Sequence, residues 1–284
     1  KIRRYFDFRN FFEPLKNLTG IFFGLYYIWK YKIDIIFSKW GFVSLPLCIA
    51  WYILRKKIYI HESDTVSGLA NKIISKFATK IFYTFPNELI DDVKHITTGQ
   101  ILNPELLNNV DKVWSLVENE KLEVLVIAWS QGSTIIFENL KTILNNLIDI
   151  NFTIILWEKN LWFKKVFENF SNVKLYDFAS QEELWEIYQK TDIAITRAWA
   201  TTLWELYYFG IHSIIVPLST AAQNHQEKNA IFFKQKVWSD VLDENEKLNL
   251  EIFRLLNKYK TLRKASLNTK NFFYSLEKIK TEIL

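Results

Sequence analysis

Short runs of apolar residues alternate along the chain with longer segments in which apolar residues recur at every third or fourth position. Continuous runs of Ile, Val, Leu and Phe are typical of strands buried on both faces of a parallel sheet, and the three-to-four spacing is typical of helices. The predicted strands are Ile33–Phe37, Lys57–Ile60, Lys80–Thr84, Val124–Ala128, Thr153–Leu156, Val173–Tyr176, Ile193–Thr196 and Ser213–Val216. The predicted helices are Val43–Leu54, Gly68–Phe77, Ser133–Leu147, Glu182–Lys190, Ala200–Phe209, Gln223–Lys236, Glu246–Lys258 and Leu262–Ile283. The pattern therefore predicts an α/β chain with parallel sheets.

A polar stretch in the middle of the chain divides the strands into two series. Asn103–Glu120 lacks the periodicity found on either side and contains Pro104, which disfavours helix interiors and central strands. We place a domain boundary there, so that each series forms its own sheet. A chain of 284 residues is long enough to bury two cores of medium size.

Positive charge is concentrated in residues 1–60. They contain eleven Lys or Arg and three Asp or Glu, a net charge of +8, whereas the remainder of the chain carries −3. A basic segment rich in Phe and Tyr suits an anionic membrane surface or a pyrophosphate-bearing lipid, since each basic side chain near such a surface contributes about 1 kcal/mol. A solvated basic face is the alternative, and no nucleic-acid-binding motif accompanies the charge.

The apolar stretches and the cysteine content bear on the compartment. The stretches around Ile21–Ile28 and Phe42–Leu54 fall short of the about 20 apolar residues that a membrane-spanning helix needs, so we predict none. The single cysteine, Cys48, cannot form an internal disulfide, which fits a reducing cytoplasm. Because it lies in an apolar run, we expect a buried small hydrophobe rather than a nucleophile.

Two motifs far apart in the sequence carry the most specific information. The first, residues 61–71, reads His-Glu-Ser-Asp-Thr-Val-Ser-Gly-Leu-Ala-Asn and joins a predicted strand to a predicted helix. The second comprises, in order, Arg197, Glu205, Gly210, Pro217, His225, Gln226 and Asn229. Together they resemble the MurG family of bacterial transferases, which add N-acetylglucosamine to the lipid-linked muramyl-peptide precursor of the cell wall.

The resemblance implies two Rossmann-like domains facing a cleft (GT-B architecture), the first of them incomplete. It implies a partial N-terminal acceptor and membrane-associated domain at residues 1–112 and a C-terminal UDP-sugar-binding domain at 113–262. A terminal helix at 263–284 would return to the first domain. The family's opening strand and its glycine-rich loop, with the favoured catalytic base, are expected before Lys1, so no catalytic residue is assigned.

Donor-binding residues are implied in the second domain. The loop at residues 129–132 joins a predicted strand to a predicted helix, where backbone N–H groups and the helix dipole attract a phosphate; an ordinary N-cap is the alternative. By resemblance, Glu205 accepts hydrogen bonds from the ribose of UDP and Gln226 contacts the sugar, although Glu205 without its motif would be a helix-surface residue. The implied donor-binding residues are Ser130, Gln131, Gly132, Arg197, Glu205, His225 and Gln226.

Acceptor-binding residues are implied in the first motif. His61, Glu62 and Asp64 follow a predicted strand, at the carboxyl edge where parallel sheets bind ligands, and Asn71 lies at the start of the next helix. The resemblance implies that these four residues recognise the acceptor and its pyrophosphate. A structural His at the strand end with a capping Glu is the alternative.

The implied reaction is a single inverting displacement, in which a muramyl hydroxyl attacks the anomeric carbon of UDP-N-acetylglucosamine (lipid I to lipid II in peptidoglycan synthesis). The sequence contains no Asp-x-Asp pair and no His or Cys cluster with metal-ligand spacing, so no tightly chelated metal or other cofactor is expected. Expected partners are the UDP-sugar, the lipid-linked muramyl-peptide and an anionic membrane at the cytoplasmic face of the plasma membrane, but no nucleic acid. The alternatives are a non-catalytic UDP-sugar- and lipid-binding pseudoenzyme, another lipid-directed glycosyltransferase, or a UDP-sugar epimerase of the same architecture.

Tryptophan stands at several positions where the family has glycine: Trp40, Trp129, Trp157 and Trp199. The chain contains 11 Trp and only 7 Gly. Glycine is needed where the backbone approaches a phosphate or adopts a positive φ, and an indole there would fill the space of a diphosphate. We hypothesise that UGA codons, which the source reads as glycine, have been translated as tryptophan. UGG codons would instead favour decay to a pseudoenzyme, and the chain as written is expected to be inactive.

Overall fold

The computed structural model describes residues 13–39, 41–86, 92–103, 120–128, 133–237, 239–261 and 281–283. The chain separates into two compact units, residues 1–101 with 273–284 and residues 102–272. Each unit is built around one parallel sheet. Several predicted features lie outside the described residues: Trp40, the linker interior at 104–119, the loop at 129–132 and the predicted terminal helix over 262–280.

In the first unit, helices and strands alternate and all strands run in one direction. The elements are α1 (Glu13–Tyr31), β1 (Ile35–Ser38), α2 (Gly41–Ile53), β2 (Lys57–Glu62), α3 (Leu69–Ile74), β3 (Lys80–Tyr83) and β4 (His95–Thr97). The strands pair in the order β1-β2-β3-β4, and every pair is parallel. The loops that follow β2 and β4 therefore begin at the same edge of the sheet.

Apolar side chains cover both faces of this sheet. On one face, Ile58 and Ile60 of β2 pack in a cluster with Trp51 of α2. On the other face, Tyr59 packs with Phe82 of β3. Alternate residues of one strand are thus buried on opposite sides, which explains why β2 reads as a continuous apolar run.

The end of the chain packs against the same sheet. Residues 281–283 are helical, and Ile283 contacts the cluster that contains Tyr59. Lys80 Nζ forms an ion pair with Glu282 Oε2 at 2.5 Å and donates to the Glu282 carbonyl at 2.9 Å. These contacts attach the described part of the terminal segment to the first unit.

Helix α2 packs closely against α1. A Cβ atom at Gly24 of α1 would lie 3.0 Å from Ala50 Cβ, so the absence of a side chain there allows the two helices to approach. Cys48 of α2 is fully buried, and burial raises the pKa of its thiol to about 11. The thiol stays protonated at neutral pH, and the prediction of a buried small hydrophobe is confirmed.

The second unit contains a larger sheet. Its elements are β5 (Leu122–Ile127), α4 (Ser133–Ile143), β6 (Ile150–Ile155), α5 (Lys164–Phe167), β7 (Val173–Tyr176), α6 (Gln181–Lys190), β8 (Ile193–Thr196), α7 (Ala200–Tyr208), β9 (His212–Ile215), α8 (His225–Lys236), β10 (Ser239–Val241) and α9 (Leu248–Thr261). The strand order is β10-β9-β8-β5-β6-β7, and every pair is parallel. In chain order this is the six-stranded Rossmann arrangement.

Helices cover both faces of the second sheet. Val124 and Val126 of β5 belong to a cluster with residues of α4 and α9, whereas Leu125 and Ile127 belong to a second cluster with residues of α6 and α7. Each central strand is therefore buried on both sides, as its continuous apolar sequence predicts.

All eight predicted strands and the first seven predicted helices are confirmed, with ends that differ by a few residues. The missed strands are short and polar: β10 reads Ser-Asp-Val and forms an edge, and β4 reads His-Ile-Thr. Helix α1 was missed because aromatic residues on its outer face, such as Phe23 and Trp29, obscure the three-to-four spacing. None of the described helices combines the length and apolar character needed to cross a membrane.

Candidate functional site

The strand order of the second unit indicates where a ligand binds. β5 and β8 are neighbours, and the order reverses between them, because the chain continues outward through β6 and β7 on one side and through β9 and β10 on the other. Open parallel sheets bind ligands beyond the carboxyl ends of the strands at this switch point. Residues 129–132 follow β5 and residues 197–199 follow β8, so both parts of the predicted donor motif begin there. Ser130, Gln131 and Gly132 lie outside the described residues.

The start of α4, just after that loop, is attached to the segment that follows β6. Ser133 Oγ is fully buried and accepts a hydrogen bond from Asn160 Nδ2 at 2.5 Å. Thr134 Oγ1 donates to Asn160 Oδ1 at 3.1 Å. Because the free N–H groups of a helix lie in its first turn, Asn160 helps to fix the position of these groups at the start of α4.

Trp157, which follows β6, has a backbone conformation that is typical of glycine. Its φ is 66° and its ψ is 152°, a combination that residues with a Cβ atom almost never adopt. Gln223 and Asn224 also have positive φ, but their ψ angles of 22° and 30° lie in the left-handed helical region. The fold itself therefore favours glycine at position 157.

Arg197 is held inside the second unit. Its side chain is 1% exposed, Nη1 donates to the Val216 carbonyl at 2.9 Å, and Nη2 forms an ion pair with Glu244 Oε1 at 2.6 Å. Burial lowers the pKa of the guanidinium, and the charge of Glu244 opposes that shift. This arrangement connects the ends of β8 and β9 to the segment before α9. Arg197 therefore holds the loops after these strands in place from inside the unit.

The loop between β8 and α7 is supported by α8. Asn229 is fully buried, and its Nδ2 donates to the Ala198 carbonyl at 3.1 Å. Trp199 lies next, 5.8 Å between ring centroids from the half-buried His225. Its indole N–H is buried with no acceptor among the described residues, which costs about 1–3 kcal/mol. Glycine at 199 would remove that cost.

Glu205 lies on α7 and is 8% exposed. Its Oε2 accepts a hydrogen bond from the buried Tyr188 hydroxyl at 3.0 Å. An ionised carboxylate can only accept hydrogen bonds, so it is suited to a diol.

The loop between β9 and α8 is fixed by two side chains. Gln226, in the first turn of α8, is 1% exposed, and its Oε1 accepts from the Leu218 N–H at 3.0 Å. Ser219 Oγ donates to Glu244 Oε2 at 3.0 Å. Since Glu244 also pairs with Arg197, the loops after β8 and β9 are linked through one carboxylate.

In the first unit, Glu62 and Asn71 form a buried pair. Asn71 Nδ2 donates to Glu62 Oε2 at 2.8 Å, and the residues are 7% and 5% exposed. Burial raises the pKa of Glu62, and the nearby charge of Asp64 raises it further. Asn71 Oδ1 is buried with no partner among the described residues, so it can accept a hydrogen bond from a ligand. Asp64 is half-buried in the loop between the two.

His61 is fully buried at the end of β2. Its Nε2 lies 3.0 Å from the Gly99 carbonyl, which can only accept, so Nε2 carries the proton; Ser63 Oγ lies 3.4 Å from Nδ1. Burial lowers the pKa of His61 to about 4, so the ring is neutral at physiological pH. His61 thus holds the loop after β4, where Gly99 has a φ of 82°, against the end of β2.

Three residues that position the site were missed by sequence reasoning: Tyr188, Asn160 and Glu244. Tyr188 had a usable signal, because it shares a helix stripe with Leu184 and Ile187 and a buried tyrosine hydroxyl needs a partner. Asn160 and Glu244 lie in polar segments with no pattern. Among the residues that the structure describes, no group of His, Cys, Asp and Glu is arranged to hold a metal ion.

The two parallel α/β sheets, one in Rossmann order with its polar groups at the switch point, define the class of Rossmann-like proteins that bind nucleotides or nucleotide sugars. The family model for the glycosyltransferase family 28 C-terminal domain matches residues 123–279, and that for the N-terminal domain matches residues 1–83. The chain belongs to glycosyltransferase family 28, in its MurG branch, and the resemblance seen in the motifs is confirmed.

Curated relatives place the chain in that branch. The UDP-N-acetylglucosamine–N-acetylmuramyl-(pentapeptide) pyrophosphoryl-undecaprenol N-acetylglucosamine transferase of Clostridium perfringens strain SM101 is 37% identical over 93% of this chain and 74% of its own length. The enzyme of the same name from Clostridium kluyveri is 34% identical over 87% of this chain and 71% of its own length.

Solved structures agree on the fold. The crystal structure of Acinetobacter baumannii MurG is similar with a TM-score of 0.67 at 22% identity, covering 87% of this chain and 70% of that one. UDP-GlcNAc 2-epimerase from Neisseria meningitidis, bound to UDP-GlcNAc, is similar with a TM-score of 0.71 at 12% identity, covering 94% and 80%. The predicted fold of two Rossmann-like domains is confirmed.

Proposed function

We propose that this chain transfers N-acetylglucosamine from UDP-N-acetylglucosamine to an undecaprenyl-pyrophosphoryl-muramyl-peptide, the reaction named for its Clostridium relatives. One observation of the structure supports the donor half of the proposal: the start of α4 and the helix of Glu205 follow β5 and β8, the two strands that meet at the switch point of a Rossmann sheet, and Gln226 follows the adjacent strand β9. The likeness to epimerases, at 12% identity, extends to the fold alone and does not favour an epimerase.

The donor half divides into residues that touch the ligand and residues that hold the loops. Glu205 accepts hydrogen bonds from the ribose, and the loop at 129–132 with the start of α4 receives the diphosphate. Gln226 and His225 lie at the sugar end. Arg197, fully enclosed and paired with Glu244, acts through the loop that it supports.

The acceptor half lies in the first unit. Asn71 contacts the acceptor through its buried Oδ1, and Glu62 orients the Asn71 amide. Asp64, in the loop beside them, meets the polar part of the acceptor. His61 holds the loop after β4 through its hydrogen bond to the Gly99 carbonyl, and it stays neutral because its burial disfavours the charged ring.

Departure of UDP relies on backbone N–H groups and the N-terminus of α4 rather than on a chelated metal. These groups stabilise developing negative charge on a phosphate without a bound cation. Addition of EDTA is therefore expected to leave UDP affinity unchanged within about twofold, and a loss of about tenfold or more that Mg²⁺ restores would contradict this part of the proposal.

The first unit docks on an anionic membrane, at the cytoplasmic face, through the outer face of α1. Exposed large hydrophobic residues of this helix are Leu18, Phe22, Phe23, Tyr26, Tyr27, Trp29 and Tyr31. Lys30 Nζ lies 5.5 Å from the ring centroids of both Tyr26 and Tyr31, so positive charge borders the aromatic face. Aromatic residues flanked by basic ones are typical of helices that lie at a membrane surface.

A second candidate function is supported by the tryptophans. Trp157 has a backbone conformation typical of glycine, and the buried indole N–H of Trp199 has no acceptor among the described residues. A chain that is no longer selected to bind a phosphate could contain such residues. If those residues are genuine, the protein is a binding module that holds its ligands without turnover.

Isothermal titration with UDP tests the donor half. The full chain is measured as written and with glycine at positions 40, 129, 157 and 199. We expect the glycine form to bind at least about tenfold more tightly, and Glu205→Gln to weaken its binding by about tenfold or more. Glu186→Gln, at an exposed position of α6, is the matched control and should leave the affinity for UDP unchanged. Absence of UDP binding in both forms would contradict the proposal.

A further inference from the structure

Tyr188 of α6 and Glu205 of α7 form a buried contact between these two helices. The Tyr188 hydroxyl on α6 donates to Oε2 of Glu205 on α7 at 3.0 Å. Tyr188 is 1% exposed, and its ring packs 5.1 Å from that of Phe209 between centroids. The aromatic ring is therefore anchored in the core, and only its hydroxyl reaches the carboxylate.

The contact restricts the carboxylate of Glu205. The terminal torsion of a glutamate is broad, so a carboxylate without a fixed partner rotates among many orientations. Burial raises the pKa of the Tyr188 hydroxyl far above its usual value, and the charge of Glu205 raises it further. The phenol stays protonated throughout the working pH range and always donates, so Oε2 keeps the same partner.

We propose that Tyr188 is a positioning residue for ribose recognition: its hydrogen bond fixes the plane of the Glu205 carboxylate so that the 2′- and 3′-hydroxyls of a nucleoside diphosphate donate to it together. This inference rests on the proposed donor function. A diol bound in this way distinguishes ribose from 2′-deoxyribose, because removing the 2′-hydroxyl leaves the fixed carboxylate without one donor.

The test compares UDP with 2′-deoxy-UDP by isothermal titration in the full chain with glycine at positions 40, 129, 157 and 199, which is the parent of the variants below. The parent is expected to prefer UDP by about tenfold, the worth of one hydrogen bond to a charged group. Tyr188→Phe keeps the packed ring but removes the hydroxyl, and the preference should fall to about threefold or less. Glu205→Gln should also reduce it, and the double variant should lose no more than Glu205→Gln alone.

Tyr259→Phe is the matched control. Tyr259 is a second buried tyrosine of the same unit whose hydroxyl donates to a carboxylate, that of Asp240. It should lower the midpoint of thermal unfolding as Tyr188→Phe does, but it should leave the preference for UDP unchanged. A general loosening of the second unit would alter both variants alike and would overturn the inference.

The outcomes separate this inference from the function on which it rests. A parent that binds UDP and 2′-deoxy-UDP equally, or binds neither, shows that Glu205 does not recognise ribose, and the donor proposal fails together with this one. A parent that prefers UDP while Tyr188→Phe prefers it equally shows that Glu205 acts without Tyr188. In that case only the role of Tyr188 is overturned.

Discussion

At the scale of single residues, Trp157 combines a large side chain with a backbone conformation that is typical of glycine. The conformation with φ 66° and ψ 152° is stable in this fold because the Trp157 N–H donates to the Asp177 carbonyl and the Asn160 N–H donates to the Trp157 carbonyl. A residue with a Cβ atom held in this region costs about 1–3 kcal/mol. The surrounding hydrogen bonds therefore specify a shape that glycine adopts without strain.

Replacing Trp157 with glycine is expected to stabilise the second unit. Relief of backbone strain outweighs the loss of the half-buried indole and its contact with Phe178, so we expect a gain of about 1 kcal/mol in the free energy of unfolding. Urea denaturation of the full chain measures it.

Trp162→Gly is the control for that substitution. Trp162 is 54% exposed, lies five residues further along, and has no positive φ, so glycine there removes helix propensity and a ring contact without relieving strain. It should destabilise. Equal effects of the two substitutions would show that the backbone at 157 is not strained.

The motifs of the candidate site could be predicted from the sequence, but the contacts that hold those motifs in place could not. Glu205 and Gln226 lie within ordered motifs, and the strand order places Glu205 after β8 at the switch point and Gln226 after the adjacent strand β9. The donor-binding role of Arg197 stays a prediction, and the structure adds a partner that the motif does not reveal, since the guanidinium is buried against Glu244. The helix stripe that Tyr188 shares with Leu184 and Ile187 predicts its burial, but it does not predict that the hydroxyl contacts Glu205 on another helix.

At the scale of elements, the edge strand β10 is attached to the sheet through Asp240. Asp240 Oδ2 lies 2.8 Å from His212 Nε2 of β9 and accepts a hydrogen bond from the Tyr259 hydroxyl of α9. One carboxylate thus joins two strands and a helix. The hydrogen bond from His212 lowers the pKa of Asp240 below its ordinary value of 3.8, although partial burial opposes the shift.

Asp240→Asn is expected to destabilise the second unit by about 1.5–3 kcal/mol at pH 7, the range for hydrogen bonds to a charged group. Because the pKa of Asp240 is lower in the folded state than in the unfolded state, its contribution is complete above pH 3.8 and is lost as pH falls through the folded-state value. Urea denaturation at pH 7 and below pH 3.8 should therefore show a difference from the parent that shrinks in acid.

Asp177→Asn provides the comparison for Asp240. Asp177 pairs with Lys164 at 2.8 Å, and the two side chains are 50% and 44% exposed. A surface pair of this kind contributes about 0–1 kcal/mol, so the variant should scarcely change stability. Similar losses for both aspartates would mean that the contact at Asp240 has no special role.

Helix α1 offers the test of membrane docking. Phe22 and Phe23 are 69% and 63% exposed, and serine at both positions should reduce sedimentation with phosphatidylglycerol vesicles by about tenfold or more, since each buried aromatic side chain contributes about 1.5–3 kcal/mol. Phe178→Ser, at a 57% exposed position of the second unit, should leave vesicle binding unchanged. Binding that persists in the double variant would contradict docking through α1. Binding that does not weaken as the salt concentration rises would contradict attraction to an anionic surface.

At the scale of the whole molecule, the sequence predicts the buried framework better than the edges and surfaces. Continuous apolar strands such as β5 and β8 are buried on both faces of their sheet, as their composition predicts. β10 carries too few apolar residues to be recognised, and it forms because β9 offers it a free edge. The outer face of helix α1 is exposed and aromatic, whereas an outer helix face is usually polar. An exposed apolar face of this kind indicates an interaction surface rather than part of the core.

We propose that this family 28 chain is a transferase in which tryptophan stands at positions that require glycine. The most direct measurement is the transfer of radiolabelled N-acetylglucosamine from its UDP donor to the lipid-linked muramyl-peptide, using the full-length gene product with glycine at positions 40, 129, 157 and 199. We expect label in the lipid fraction only when the acceptor is present, and a decrease in label of about tenfold or more with Glu205→Gln. Tight binding of UDP without transfer, or conversion of the sugar nucleotide without acceptor, would contradict the proposal.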